Sequence, residues 1–90
     1  MKTLEIVHLR SSGKPIESLG EMIGESIRSG DEAAESITVY RRHGLGTDIA
    51  IHIRRFETGR MNGPSALAYQ LANSLRAYGL VEHTMWEEVP

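Results

Sequence analysis

Ser36-Ile37-Thr38-Val39-Tyr40-Arg41-Arg42, then His43-Gly44-Leu45-Gly46, then Thr47-Asp48-Ile49-Ala50-Ile51-His52-Ile53-Arg54-Arg55 is the stretch of sequence whose reading decides the fold. On both sides of the glycine-containing turn, apolar and polar residues alternate with the period of two that a half-covered strand requires. The odd positions Ile37, Val39, Ile49, Ile51 and Ile53 need a cover, and the even positions Thr38, Tyr40, Arg42, Asp48, His52 and Arg54 carry the polar and aromatic chemistry. A turn near Gly44 and Leu45 pairs positions whose numbers sum to about 90, which sets Tyr40 opposite Ala50, Thr38 opposite His52 and Arg42 opposite Asp48. The last pair reads as register control near the turn, worth well under about 1 kcal/mol on an exposed surface.

Upstream, Leu4 to Arg10 is strand-like and ends in Ser11-Ser12-Gly13, after which Ile16, Leu19, Ile23 and Ile27 change to helical spacing. Pro15 suits the first turn, Glu17 and Arg28 complement the two ends of the helix dipole, and Gly30 supplies a stop, so the first helix is expected over 15–29. Gly20 and Gly24 fall inside it, where close packing against the sheet or the second helix would offset their cost of about 1 kcal/mol each.

Downstream, Glu57 to Gly63 reads as a connection and Pro64 opens a second helix carrying Leu67, Ala68, Leu71, Ala72 and Leu75. Tyr78-Gly79-Leu80 has the pattern of a Schellman end in which Leu80 folds back on the last turn. Val81 to Val89 alternates again as a last strand, with Val81, Met85 and Val89 toward the helices and Glu82, Thr84, Trp86 and Glu88 outward.

The order strand, helix, strand, strand, helix, strand is that of a ferredoxin-like α+β sandwich, βαββαβ, in which right-handed crossovers put both helices on one face of a four-stranded antiparallel sheet of order 4-1-3-2. Residues 1–90 are expected to form this one domain. The first strand admits two orientations. The preferred one turns Val7 and Leu9 to the helices and Leu4, Ile6, His8 and Arg10 outward, keeping Glu5 out of the core and bringing His8 near His52.

Bulk composition narrows the classes further. A 90-residue chain buries only about 60 to 65% of its unfolded surface, so association would add needed stability. With 40% apolar and 24% charged residues it has the makings of a real core. The absence of cysteine excludes disulfides, zinc-thiolate sites, iron–sulfur clusters and cysteine nucleophiles. No apolar run approaches the roughly 20 residues of a membrane span, and Met1-Lys2-Thr3 leads into a strand rather than a signal peptide, so a cytoplasmic location and no membrane partner are expected.

The open face then combines Leu4, Ile6, His8, Tyr40, His52, Arg54 and Trp86, a mixture of aliphatic, aromatic and imidazole groups that calls for a cover. A second copy of the same sheet is the simplest one, because a two-fold interface needs only self-complementarity.

The element order, the length, Gly13-Lys14-Pro15 before the first helix, and Tyr78-Gly79-Leu80-Val81 before Trp86-Glu87-Glu88 together resemble the dimeric α+β barrel superfamily, which includes antibiotic biosynthesis monooxygenase-like proteins. The resemblance covers nearly the whole chain. It implies a homodimer whose sheets face each other, and a pocket within the barrel or between sheet and helices for small hydrophobic molecules or haem. His83 and Trp86 stand in a looser form of the superfamily's histidine and aromatic signature near the last strand. No member's catalytic set maps onto this chain residue by residue, so no activity carries over.

His8, Tyr40, His52 and Arg54 are the candidate catalytic set, with imidazoles for acid–base work near neutral pH and a guanidinium for an anionic substrate. Ile6, Thr38, Ala50, Thr84 and Trp86 complete a ligand-binding or dimer face. The simpler role for both histidines is hydrogen-bonded packing at an interface. No metal is assigned, because two imidazoles fall short of a coordination set unless His83 or Glu82 joins them. No cofactor is assigned either; Gly44-Leu45-Gly46 lacks a Walker lysine and a following helix.

Tyr40 and Trp86 on a four-stranded sheet also suit base stacking, but Ile49 to Arg54 has no aromatic submotif and the net charge is −2, so nucleic acid ranks below a small molecule. The function expected is small-ligand binding by a homodimer, with monooxygenase-like or isomerase-like chemistry. The alternative is a non-catalytic dimerisation or protein-interaction module.

Overall fold

The computed structural model describes residues 2–11, 20–21, 23–25, 36–44, 47–56 and 65–89. Strands β1 (Lys2–Ser11), β2 (Ser36–Arg41), β3 (Asp48–Phe56) and β4 (Gly79–Glu87) form one antiparallel sheet of order β2-β3-β1-β4, which is the expected 4-1-3-2 arrangement. Residues 20–21 and 23–25 are helical, and a second helix runs Ala66–Leu75. The termini expected for the first helix, the connection 57–63, Pro64 and the tip residues Leu45 and Gly46 lie outside the described residues.

The hairpin has the register read from its sequence: Thr38 pairs with His52, Tyr40 with Ala50, and Arg41 with Ile49. Arg42 N–H donates to the Asp48 carbonyl at 3.1 Å, and Gly44 at φ 80° takes the left-handed turn conformation that other residues adopt only with strain.

Alternation sorts the sheet into two faces. Val7, Leu9, Ile49, Ile51 and Ile53 are buried with Ile23 of the first helix and Leu67, Ala68, Leu71, Ala72 and Leu75 of the second, so both helices cover the odd-numbered side. Full burial of each of those leucines is worth roughly 1.5–3 kcal/mol. Cover is incomplete over β2, where Val39 remains 46% exposed although its parity points it to the core. Gly20 has open space where a Cβ would be, so close packing does not account for it.

Glu5 corrects the expectation for the first strand. With Val7 and Leu9 inward, strict alternation takes Glu5 inward as well, and it is only 1% exposed. It stays there because it is satisfied. Ser65 N–H donates to Glu5 Oε1 at 2.7 Å and Ser65 Oγ–H donates to Oε2 at 2.6 Å. Ser65 is also the N-cap of the second helix, its Oγ accepting from Ala68 N–H at 3.1 Å. The carboxylate therefore sits at the positive end of that helix, where the dipole favours it.

The C-terminal end of the second helix also departs from expectation. Its cap residue is Arg76, and Gly79 does not take a positive φ but begins β4, where a Cβ would collide with the Arg10 carbonyl of β1. Leu80 projects from the sheet at 74% exposure instead of folding back. β4 ends at Glu87, which leaves Val89 beyond the strand and exposed rather than toward the helices.

Candidate functional site

The pairings place the outward side chains on a grid. Across β2, β3, β1 and β4 the rows are Ser36, Arg54, Leu4, Trp86; then Thr38, His52, Ile6, Thr84; then Tyr40, Ala50, His8, Glu82. Asp48, Arg10 and Leu80 follow in the next row, with Arg42 just past the end of β2. Every residue expected on the ligand-binding or dimer face, Ile6, Thr38, Ala50, Thr84 and Trp86, lies on this one side together with His8, Tyr40, His52 and Arg54.

Ala50 is the smallest group near the centre. Around it stand His8, Tyr40, Arg42 and Asp48, which line a pocket of about 210 Å³. His8 Nε2 lies 3.4 Å from Asp48 Oδ2, and Arg42 Nη1 lies 3.5 Å from the same oxygen. Thr47 Oγ1 donates to Asp48 Oδ1 at 3.4 Å, so both carboxylate oxygens are engaged. Asp48 is 8% exposed, and in that partly dry position a carboxylate fixes an imidazole's orientation. The sequence placed Asp48 on this face and opposite Arg42. Its contact with His8 follows from the β1/β3 register, which sets Arg10 opposite Asp48 and leaves His8 one diagonal step away.

His52 belongs to the adjoining row. It pairs with Ile6 on one side and Thr38 on the other, and its ring meets that of Tyr40 edge-on, with centroids 4.7 Å apart at 61°. Burial disfavours the imidazolium of His52 and the charge of Arg54 disfavours it further, so its pKa is lowered from 6.5. Its Nδ1 is buried without a hydrogen-bond partner among the described residues.

The candidate catalytic set is thus divided. His8 and Tyr40 share the pocket over Ala50, and His52 touches Tyr40. Arg54 instead lines a separate cleft of about 630 Å³ with Leu4, Ser36 and Trp86. His83 has the opposite parity, pairs with Val7, and faces the helices with a buried Nε2. It joins neither His8 nor His52, and the looser His83/Trp86 signature is split between the two faces. Among the described residues no three histidine, aspartate or glutamate side chains converge as a metal site, and no helix is long and apolar enough to cross a membrane.

A third cavity, about 360 Å³, lies between the first helix and the sheet, lined by Gly20, Ile23, Gly24, Val39 and Ile49 with Tyr40 and Arg41 at its edge. It accounts for the half-exposed Val39.

No family model and no curated protein matches the chain. Solved structures do. Rv0793 from Mycobacterium tuberculosis aligns over 100% of this chain and 97% of its own at 10% identity, with a TM-score of 0.67. SnoaB, a cofactor-independent oxygenase from Streptomyces nogalater, aligns over 99% and 94% at 13% identity and a TM-score of 0.64. A conserved protein of unknown function from Bacteroides thetaiotaomicron, described as a possible oxidoreductase, aligns over 97% of both chains at 13% identity and a TM-score of 0.63. The chain shares the ferredoxin-like α+β fold of these structures.

Proposed function

We propose that this protein is a homodimer whose open sheet faces close on each other, and that it binds a small organic molecule over Ala50, where His8 moves a proton. The observation that carries this reading is the His8 contact with Asp48 at 3.4 Å on the wall of the pocket shared with Tyr40. An imidazole held by a buried carboxylate is a general base in a fixed orientation. Tyr40, 45% exposed and edge-on to His52, supplies an aromatic wall and a hydroxyl.

Proton abstraction is the step a protein contributes to oxygenation without a cofactor, the chemistry named for SnoaB. Removing a proton from an activated C–H or a phenolic O–H gives an anion rich enough in electrons to meet dioxygen directly. An isomerase-like reaction begins the same way and returns the proton to another carbon. Dimer closure is supported by the exposed Tyr40 and Leu80 on one face, and it would exclude water from the pocket.

Sedimentation at micromolar concentration is expected to give a dimer. Ligands found by thermal shift are then tested with His8→Asn, which should keep binding within about threefold while proton transfer, followed by solvent deuterium exchange or oxygen uptake, falls by about 10² or more. A monomer would remove the closed face. A His8→Asn protein with wild-type turnover would remove His8 as the base.

A further inference from the structure

A cavity of about 630 Å³ opens at the end of the sheet where β1 begins and β3 and β4 finish. It shares no lining residue with the pocket over Ala50. Its volume falls within the roughly 300–1,000 Å³ of small-molecule sites.

Its floor is a single row of the grid: Ser36, Arg54, Leu4 and Trp86 on four neighbouring strands. Strands lie about 4.8 Å apart, so Arg54 and Trp86 are separated by about 10 Å with Leu4 between them. Trp86 Nε1–H already donates to Thr84 Oγ1 at 2.9 Å. What this residue offers the cleft is therefore its ring, 56% exposed. Arg42 on the same face is paired with Asp48, whereas Arg54 makes no hydrogen bond or ion pair among the described residues.

The remaining charges do not fill that role. Arg55, 8% exposed, and Glu87 have odd parity and belong to the helix side, and Glu88 stands at the rim, its N–H donating to the Lys2 carbonyl at 2.8 Å. Lys2 brings a second cation to the mouth. The row thus presents a cation whose donor fork is unused among the described residues at one end and an aliphatic and aromatic wall at the other.

We propose that this cleft binds a small carboxylate with an apolar body, its carboxylate taken by Arg54 and its body lying across Leu4 against Trp86. Guanidinium and carboxylate match as two parallel hydrogen bonds, and Ser36 adds a hydroxyl beside them. The site does not depend on the chemistry proposed for His8.

Trp86 is the chain's only tryptophan, so its emission reports on this cleft directly. Octanoate is the probe, octanamide its uncharged counterpart, both titrated against the full chain. Octanoate should shift the emission saturably and bind at least about tenfold more tightly than octanamide, the factor that corresponds to about 1.4 kcal/mol. Arg54→Gln should abolish that preference, with far-UV circular dichroism confirming an intact fold; Leu4→Ala should weaken both ligands alike; His8→Asn should change neither. Equal binding of the two probes, or an Arg54→Gln titration indistinguishable from wild type, would overturn the proposal. So would an octanoate response lost in His8→Asn, which would place the ligand over Ala50 instead.

Discussion

Ser65 donates from both its backbone N–H and its hydroxyl to the carboxylate of Glu5, sixty positions earlier in the chain. The contact ties the central strand β1 to the start of the second helix, and the same hydroxyl caps that helix through Ala68 N–H. Glu5→Gln keeps the shape but loses a charged acceptor, and should destabilise by about 1–3 kcal/mol. Ser65→Ala should cost about 0.5–2 kcal/mol through the cap alone, and more because it strands a buried carboxylate. Urea unfolding of both variants and the double mutant checks this. Additive losses would mean the two residues do not act as one unit.

His52 should titrate below 6.5 in the folded chain, burial being the larger cause and Arg54 the second. A depressed histidine pKa means that the unfolded chain takes up the proton first as pH falls. Neutral His52 therefore contributes stability that is fully present above 6.5, is lost as pH drops below it, and levels off under the folded pKa. Proton NMR titration of the ring resonances should show this order, and Arg54→Gln should move the His52 midpoint upward without restoring it fully. A midpoint at or above 6.5 in the wild-type protein contradicts it.

Asp48→Asn should reduce turnover of any substrate found for the Ala50 pocket by about 10–100-fold, the usual effect of removing the partner that orients an imidazole. Arg42→Ala should do less, because the Arg42 side chain is 58% exposed and its pairing is correspondingly screened. Steady-state kinetics of the two variants side by side distinguishes them; equal losses would mean that Asp48 serves the turn rather than His8.

Two glycines should respond in opposite directions. Gly20→Ala meets open space on a helix and should stabilise by about 0.5–1 kcal/mol. Gly79→Ala drives a methyl into the Arg10 carbonyl and should destabilise by about 1–3 kcal/mol, the range for overpacking. Thermal unfolding gives the signs.

What the sequence disclosed followed periodicity. The odd isoleucines, the five apolar positions of the second helix and the hairpin register were all legible, because each depends on neighbours a few residues away. Parity with Val7 and Leu9 takes Glu5 into the core, but a carboxylate suits the core only with a partner that satisfies it, and that partner, Ser65, is remote in sequence. The His8 contact with Asp48 was hidden for the same reason, since it depends on how β1 registers against β3. Gly79 followed the local grammar of a helix end, and the packing of two strands overrode it.

That glycine also bears on the side of the sheet where β4's chemistry appears. β4 lies against β1 with Gly79 beside Ser11, at the one point where the Arg10 carbonyl leaves no room for a Cβ. A slip of one residue in either direction would bring Tyr78 or Leu80 to that point, and neither fits. The same slip would turn Thr84 and Trp86 under the helices and bring His83 out beside His8. Gly79 acts as a key to the lock between the two strands, and a residue with no side chain thereby decides which aromatic and which imidazole the open face displays.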